Sequence, residues 1–355
     1  MPALAQITFQ PGQVLLNKYE VIRPLGSGQF GEVYHVANRN LGHEAALKLV
    51  RVNDPARHRA HIEAQAQNLC NHDNVVKIHT ADVLIGAVLI EMEFIPDGSL
   101  GDRLAREFVP VVDSVGYLKH VLYALEHAHA RDIIHRDVKP ANIMLAGSTA
   151  KLSDFGTVIQ PSTGVTVVDP DLFYRPHASP EAVNNAAFGP QADVFGAGMT
   201  LLRAANNIAD LAPYLSDPRW RQRVLDGTFA DRIGYEEFVP SRLKSVLKKA
   251  LHRKPEERYP DAKSFRQALE RLSPARRWIR LGDRNWQCAG QDGREERIVY
   301  AAGRVHKVEY IVGSRRQRKQ CREFGNELEA RAYMAKLVGS TTLAGPGESI
   351  GQRRR

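Results

Sequence analysis

Cysteine is scarce in this chain. Cys70, Cys288 and Cys321 are the only three, far apart and with no Cys-x-x-Cys pair, so neither a disulfide framework nor a zinc site is expected. Long apolar stretches are missing too: the longest run, Val83 to Ile90, falls well below the roughly 18 residues of a membrane-spanning helix. Residues 1–10 show no basic segment followed by an apolar one, so export and anchoring are not expected, no membrane partner is expected, and a reducing cytoplasm fits. No internal repeat of about 20–50 residues is visible, which excludes solenoids and propellers. What remains is an ordinary composition of 355 residues, 43% hydrophobic and 25% charged, enough for a sizeable core and for two or three domains.

Charge is divided unevenly. The whole-chain surplus of +9 lies in residues 275–355, which hold 18 Lys+Arg against 9 Asp+Glu, while the first 274 residues are balanced. The pattern suggests a near-neutral body followed by a basic appendage that could meet an anionic partner.

Hydrophobic periodicity divides the body again. Strands are expected over residues 21–25, 31–37, 45–50 and 83–92, with a helix between the third and fourth whose stripe is Ile62, Ala66, Leu69 and Cys70. After the turn-type Pro96-Asp97-Gly98, helical periodicity dominates at 115–130, 191–205, 241–251 and 262–272, and Ser273-Pro274 ends the last of these.

The residues Leu25-Gly26-Ser27-Gly28-Gln29-Phe30-Gly31-Glu32-Val33 fit G-x-G-x-x-G-x-V, in which glycines let a backbone approach phosphates. A dinucleotide-binding turn would start a helix directly after the glycines, whereas Glu32 to Val36 continues as a strand. Lys48 sits in an otherwise apolar strand, where its ammonium needs anionic company: nucleotide phosphates, Glu63, or solvent at a strand edge. Further on, His135-Arg136-Asp137-Val138-Lys139-Pro140-Ala141-Asn142 fixes three polar side chains at set offsets. Asp137 can accept a proton from an attacking hydroxyl, Lys139 can neutralise a transferring phosphoryl group, and Asn142 can offer an oxygen to a hard divalent cation. Asp154, in Asp154-Phe155-Gly156, supplies a second oxygen ligand.

On these motifs, in this order, residues 19–273 resemble eukaryotic-like Ser/Thr protein kinases. The resemblance implies an α+β, bilobal protein-kinase fold: a β-rich N-lobe (19–92), a hinge (93–97) and a helical C-lobe (98–273), preceded by an extension (1–18). It implies ATP and Mg²⁺, a protein substrate, a Met92 gatekeeper, and a hinge of Glu93, Phe94 and Ile95. Val33, Ala46 and Met144 would sandwich the purine, under a cover formed by Leu25, Gly26, Ser27, Gly28 and Gly31. Glu181 of Ser179-Pro180-Glu181 would pair with Arg258, Asp193 would brace the catalytic loop, and Lys139 favours Ser/Thr acceptors. Arg136 suggests a switch by phosphorylation, with Ser162, Thr163 and Thr166 as acceptors. A pseudokinase scaffold and a small-molecule phosphotransferase are the alternatives.

One departure stands out. Where many relatives have a threonine that contacts the catalytic aspartate and lysine, this chain has Tyr174, in Tyr174-Arg175-Pro176-His177-Ala178.

Beyond the resemblance, strands are expected over 286–289, 297–301 and 305–312 and a helix over 323–338, a small basic β-β-β-α module (275–338) with a disordered tail from Gly339 (339–355). The run at 315–322 and the aromatics Trp278, Trp286, Tyr300 and Tyr310 admit three readings: a nucleic-acid clamp, a dock for an acidic protein, or a module packed on the kinase body.

Overall fold

A computed structural model of the protein describes residues 8–28, 31–51, 71–84, 87–155, 174–185, 189–290 and 293–344. The expected helix with Glu63 and the expected acceptors Ser162, Thr163 and Thr166 lie outside these residues.

The N-lobe is one antiparallel sheet built from β1 (Val14–Leu15), β2 (Tyr19–Gly28), β3 (Gly31–Asn38), β4 (His43–Arg51), β5 (Ile78–Leu84) and β6 (Ala87–Glu93), in the order β1-β2-β3-β4-β6-β5. Alternation along the strands gives the sheet two buried faces. Tyr34, Val36, Ala45, Leu47 and Leu89 pack with Tyr19 and Leu15 on one, while Ala46, Val88, Ile90 and Met92 pack with Val76 and Ile95 on the other. The segment expected as a single strand at 83–92 contains the end of one strand and most of the next, with Val83 opposite Val88. An unbroken apolar run concealed the reversal, for which Gly86 was the signal. Residues 8–18 also belong to this lobe: β1 extends the sheet, and Phe9 lies against Tyr34 at 5.2 Å between ring centroids.

The C-lobe is helical. It holds α1 (Leu100–Arg106), α2 (Val111–His129), α3 (Pro180–Asn185), α4 (Pro190–Ala205), the short α5 (Ala212–Leu215), α6 (Trp220–Leu225) and α7 (Phe229–Ile233), then α8 (Ser241–Ala250) and α9 (Ala262–Glu270). A capping box starts α1, in which Ser99 and Asp102 satisfy each other's backbone N–H groups. Nearly all of α4 is buried, with α2 and α9 packed around it. The hairpin β7 (Ile143–Ala146) and β8 (Thr149–Leu152) lies on α2.

The C-terminal module is a twisted sheet of β10 (Ile279–Arg280), β11 (Asn285–Ala289), β12 (Glu295–Ala301), β13 (His306–Val312) and β14 (Arg315–Arg316), with β15 (Arg322–Phe324) also paired to β13 and α10 (Glu327–Thr342) packed on one face. Two corrections concern its helix. It starts later than expected because Asn326 caps it, accepting from the Glu329 N–H at 2.9 Å. It also runs through Gly339, where a disordered tail was expected; Gly339 is pressed so close that a Cβ there would lie 2.9 Å from the Phe238 carbonyl oxygen. Residues 343–344 then form β16 (Leu343–Ala344), which pairs with β9 (Ser273–Pro274).

Of the three readings left open for the module's aromatics, the packing matches the one in which they are core. Trp278, Trp286, Tyr300 and Tyr310 are buried, in a cluster continuous with the C-lobe core. Trp286 meets Phe108 and Phe238 at 5.1 and 5.4 Å, and Arg277 pairs with Asp113 through two 2.8 Å bonds. Among the described residues no helix is long and apolar enough to cross a membrane.

Candidate active site

The site is assembled where the inner face of the N-lobe sheet meets the C-lobe loops. Strands β2 and β3 close on each other through Gly26 opposite Val33, Ser27 opposite Glu32 and Gly28 opposite Gly31. Gly31 adopts φ +125°, and a Cβ there would fall 2.0 Å from the Leu49 carbonyl oxygen, so only glycine fits. Leu25 is exposed at the edge of this hairpin. The sheet register then sets Lys48 of β4 between Val33 and Ile90, buried at 5% exposure. Among the described residues its Nζ reaches the Oδ1 of Asp154 at 2.8 Å, which supplies the anionic company that burial demands. Asp154 itself has φ +64°. Burial works against its ionisation, but the Lys48 ammonium, with Lys139 and His135 nearby, outweighs this and holds the carboxyl below its usual range.

The catalytic-loop residues are fixed from beneath by α4. The Asp193 carboxylate accepts the backbone N–H groups of His135 at 2.8 Å and Arg136 at 2.7 Å, and meets His129 Nε2 at 2.9 Å. These bonds sustain the left-handed backbone of Arg136, φ +71°, a conformation that costs a non-glycine residue about 1–3 kcal/mol. Despite its burial, Asp193 is held below the ordinary carboxylate range by His129. Asp137 is thereby presented with its two oxygens in different surroundings. Oδ2 accepts from Lys139 Nζ at 2.5 Å and Asn142 Nδ2 at 3.0 Å, whereas Oδ1 is buried with no partner among the described residues. Asn142 Nδ2 also donates to the Asp137 carbonyl at 2.9 Å.

An apolar cluster belongs to the same face of the sheet. Ala46, Met92 and Ile95 cluster there with Val33 and Met144 packed against them. The Glu93 side chain is turned away to Lys151, with contacts of 2.6 and 2.8 Å, and its N–H donates to the Lys77 carbonyl. Phe94 stacks on His35 at 3.7 Å.

Glu181 and Arg258 form the expected pair, with bonds of 2.7 and 2.8 Å. Two groups went unread in the sequence. His129 continues the apolar stripe of Leu118, Leu122 and Leu125 on α2, and a histidine in such a stripe was the available signal. Buried Arg203, which meets His177 at 3.2 Å, had no sequence signal.

Comparison with known proteins agrees with this geometry. A family model described as protein kinase domain matches residues 19–271. The death-associated protein kinase dapk-1 of Caenorhabditis elegans is 30% identical over 247 residues, 65% of this chain and 16% of that protein. The serine/threonine-protein kinases PknJ and PknF of Mycobacterium tuberculosis are each 29% identical, covering 70% and 71% of this chain and 44% and 55% of their own lengths. The chain thus spans less than two thirds of these relatives. Fold, ordered motifs and family match agree: the chain belongs to the protein kinase domain family.

Proposed function

We propose that this chain is a Ser/Thr protein kinase that transfers the γ-phosphoryl group of ATP to hydroxyls of protein substrates, itself included. The observation that carries the reading is the buried Oδ1 of Asp137, unpartnered among the described residues and set beside the ammonium of Lys139. An acceptor hydroxyl donating to Oδ1 satisfies that atom and directs its own oxygen toward the phosphorus, while Lys139 stabilises charge that develops on the transferring group. Lys48 orients the α/β-phosphates beneath Leu25, Gly26, Ser27, Gly28 and Gly31. The purine lies between Val33, Ala46 and Met144, with Met92, Glu93 and Ile95 lining the hinge. The donor set suits Mg²⁺: Asn142 spends only its amide nitrogen on Asp137, leaving its oxygen, and Asp154 is ionised. When bound, Mg²⁺ neutralises phosphate charge. Glu63 as a partner of Lys48, and Ser162, Thr163 and Thr166 as acceptors, belong to the same reading, as does a cytoplasmic location, with which the free thiols of Cys288 and Cys321 accord.

Labelled ATP and a generic protein acceptor test it. Wild type should label the acceptor, and Lys48→Ala and Asp154→Ala should each lose at least about 100-fold. Label confined to small molecules would point to a small-molecule phosphotransferase, and nucleotide binding without transfer to a scaffold.

The division into a kinase domain (19–273) and a module (275–338) is part of this proposal, and so is an anionic partner, nucleic acid or acidic protein, for the module. Among the described residues Arg315, Arg318, Lys319 and Arg322 are exposed with no carboxylate in reach, whereas Arg276, Arg297, Lys307 and Arg316 are paired with glutamates. Changing those four to Ala should lower the salt needed to elute the chain from a polyanion column, and unchanged elution would remove the partner from this edge.

A further inference from the structure

Tyr174 falls at about the place where the family resemblance puts a threonine, yet its hydroxyl makes no hydrogen bond among the described residues. Its ring is the part in use. Lys139 Nζ lies 5.3 Å from the ring centroid, and the His177 ring, tilted to it, has its centroid 5.3 Å away. His177 is itself fixed. Its Nδ1 faces the Val138 carbonyl at 3.1 Å and its Nε2 faces Arg203 Nη1 at 3.2 Å. Because a carbonyl only accepts and a guanidinium only donates, the ring carries its proton on Nδ1 and accepts at Nε2. Burial, with Arg203 beside it, holds His177 in this neutral form. Thr200 Oγ1 adds a bond to the same Val138 carbonyl at 3.1 Å. Val138 is the residue between Asp137 and Lys139, so one buried shelf of α4 and the 174–178 segment supports both the catalytic backbone and the tyrosine ring.

We propose that Tyr174 is a positioning residue for phosphoryl transfer: the face of its ring, not its hydroxyl, holds the Lys139 ammonium against Asp137. The proposal rests on the kinase reading above. An ammonium over an aromatic face within about 6 Å is attracted by the ring quadrupole, and an aliphatic side chain of similar volume lacks that attraction. Lys139 acts on charge that appears during transfer, so its misplacement lowers kcat more than it raises KM for ATP.

The test compares wild type with Tyr174→Phe and Tyr174→Leu in the full chain, by steady-state kinetics and by NMR of ¹³C-labelled lysine, with the Lys139 signal assigned through Lys139→Arg. Wild type and the Phe variant should show the Lys139 ε-methylene resonance shifted upfield by the ring. The Leu variant should lose that shift and about 2- to 30-fold in kcat, the range open to a cation–π contact, with KM for ATP changed less than about twofold. A Leu variant with wild-type kcat would overturn the proposal, as would a Phe variant as slow as Leu, since the hydroxyl would then be the working group. A wild type that transfers nothing defeats the kinase reading, and in that case an unshifted Lys139 resonance in wild type still overturns the ring contact and a shifted one supports it.

Discussion

Two buried carboxylates, one in each lobe, show how the same side chain serves different ends. Glu91 on the outer face of the N-lobe sheet is fully enclosed and surrounded by donors: Tyr19 Oη at 2.7 Å, Asn38 Nδ2 and His43 Nε2 at 2.9 Å, Lys18 Nζ at 3.2 Å and Thr80 Oγ1 at 3.3 Å. Asp137 is as deeply set at 2% exposure, yet one of its oxygens has no partner among the described residues. A saturated acid locks strands together, and an unsaturated one keeps an acceptor ready for a group that arrives from outside. The difference bears out no role by itself, but it is the one the proposed function requires of Asp137.

Three experiments would break or sharpen that contrast. The largest effect is expected from Asp137→Asn, which keeps the size and the bonds to its neighbours but cannot take a proton: transfer should fall by about 10²- to 10⁴-fold with little change in melting temperature. Comparable loss of folding would make Asp137 a structural acid like Glu91. Next, Glu91→Gln should destabilise the fold by about 3–5 kcal/mol, because the buried donors lose their charged acceptor, while the kcat of the folded fraction is retained. A denaturant midpoint equal to wild type would show the network to be dispensable. The smallest effect is its pH dependence. Burial opposes ionisation of Glu91, but Asn38, Tyr19, His43 and Lys18 together bring its carboxyl down to about 2. Its folded value lies below the unfolded value of about 4.3, so its contribution, about 3 kcal/mol, is complete above about pH 5 and is lost as pH falls toward 2. The stability gap between wild type and Glu91→Gln should therefore narrow over that interval, and a constant gap would refute the assignment.

The same contrast explains what could be read from sequence. That Asp137, Lys139 and Asn142 lie together was legible because they sit at short, set offsets in one stretch of sequence. The donors to Glu91 were not, since Lys18, Tyr19, Asn38, His43 and Thr80 come from separate strands or their flanks and only the register of the sheet brings them together. In the C-terminal module the strands were legible from alternation, and β12 reads buried at Glu296, Ile298 and Tyr300. Its docking was not: nothing near Trp286 in sequence announces Phe108 or Phe238, so the choice between aromatic core and aromatic surface stayed open. Gly339 resembled the start of a loose tail because glycine is a helix breaker in isolation, whereas here the close approach of the 237–238 backbone requires it.

The pairing of Ser273–Pro274 with Leu343–Ala344 has a mechanical consequence. The chain enters and leaves the module at one point, so tension on residues beyond 344 passes across that pairing to residue 273 and then to α9, without loading β11, β12, β13 or α10. The module is a side loop off the line of force. Two ladder pairs and the bonds from the Ala275 and Arg276 N–H groups to the Thr342 carbonyl, 2.9 and 3.2 Å, close that junction, and they must shear before the load reaches α10 and its docked Gly339.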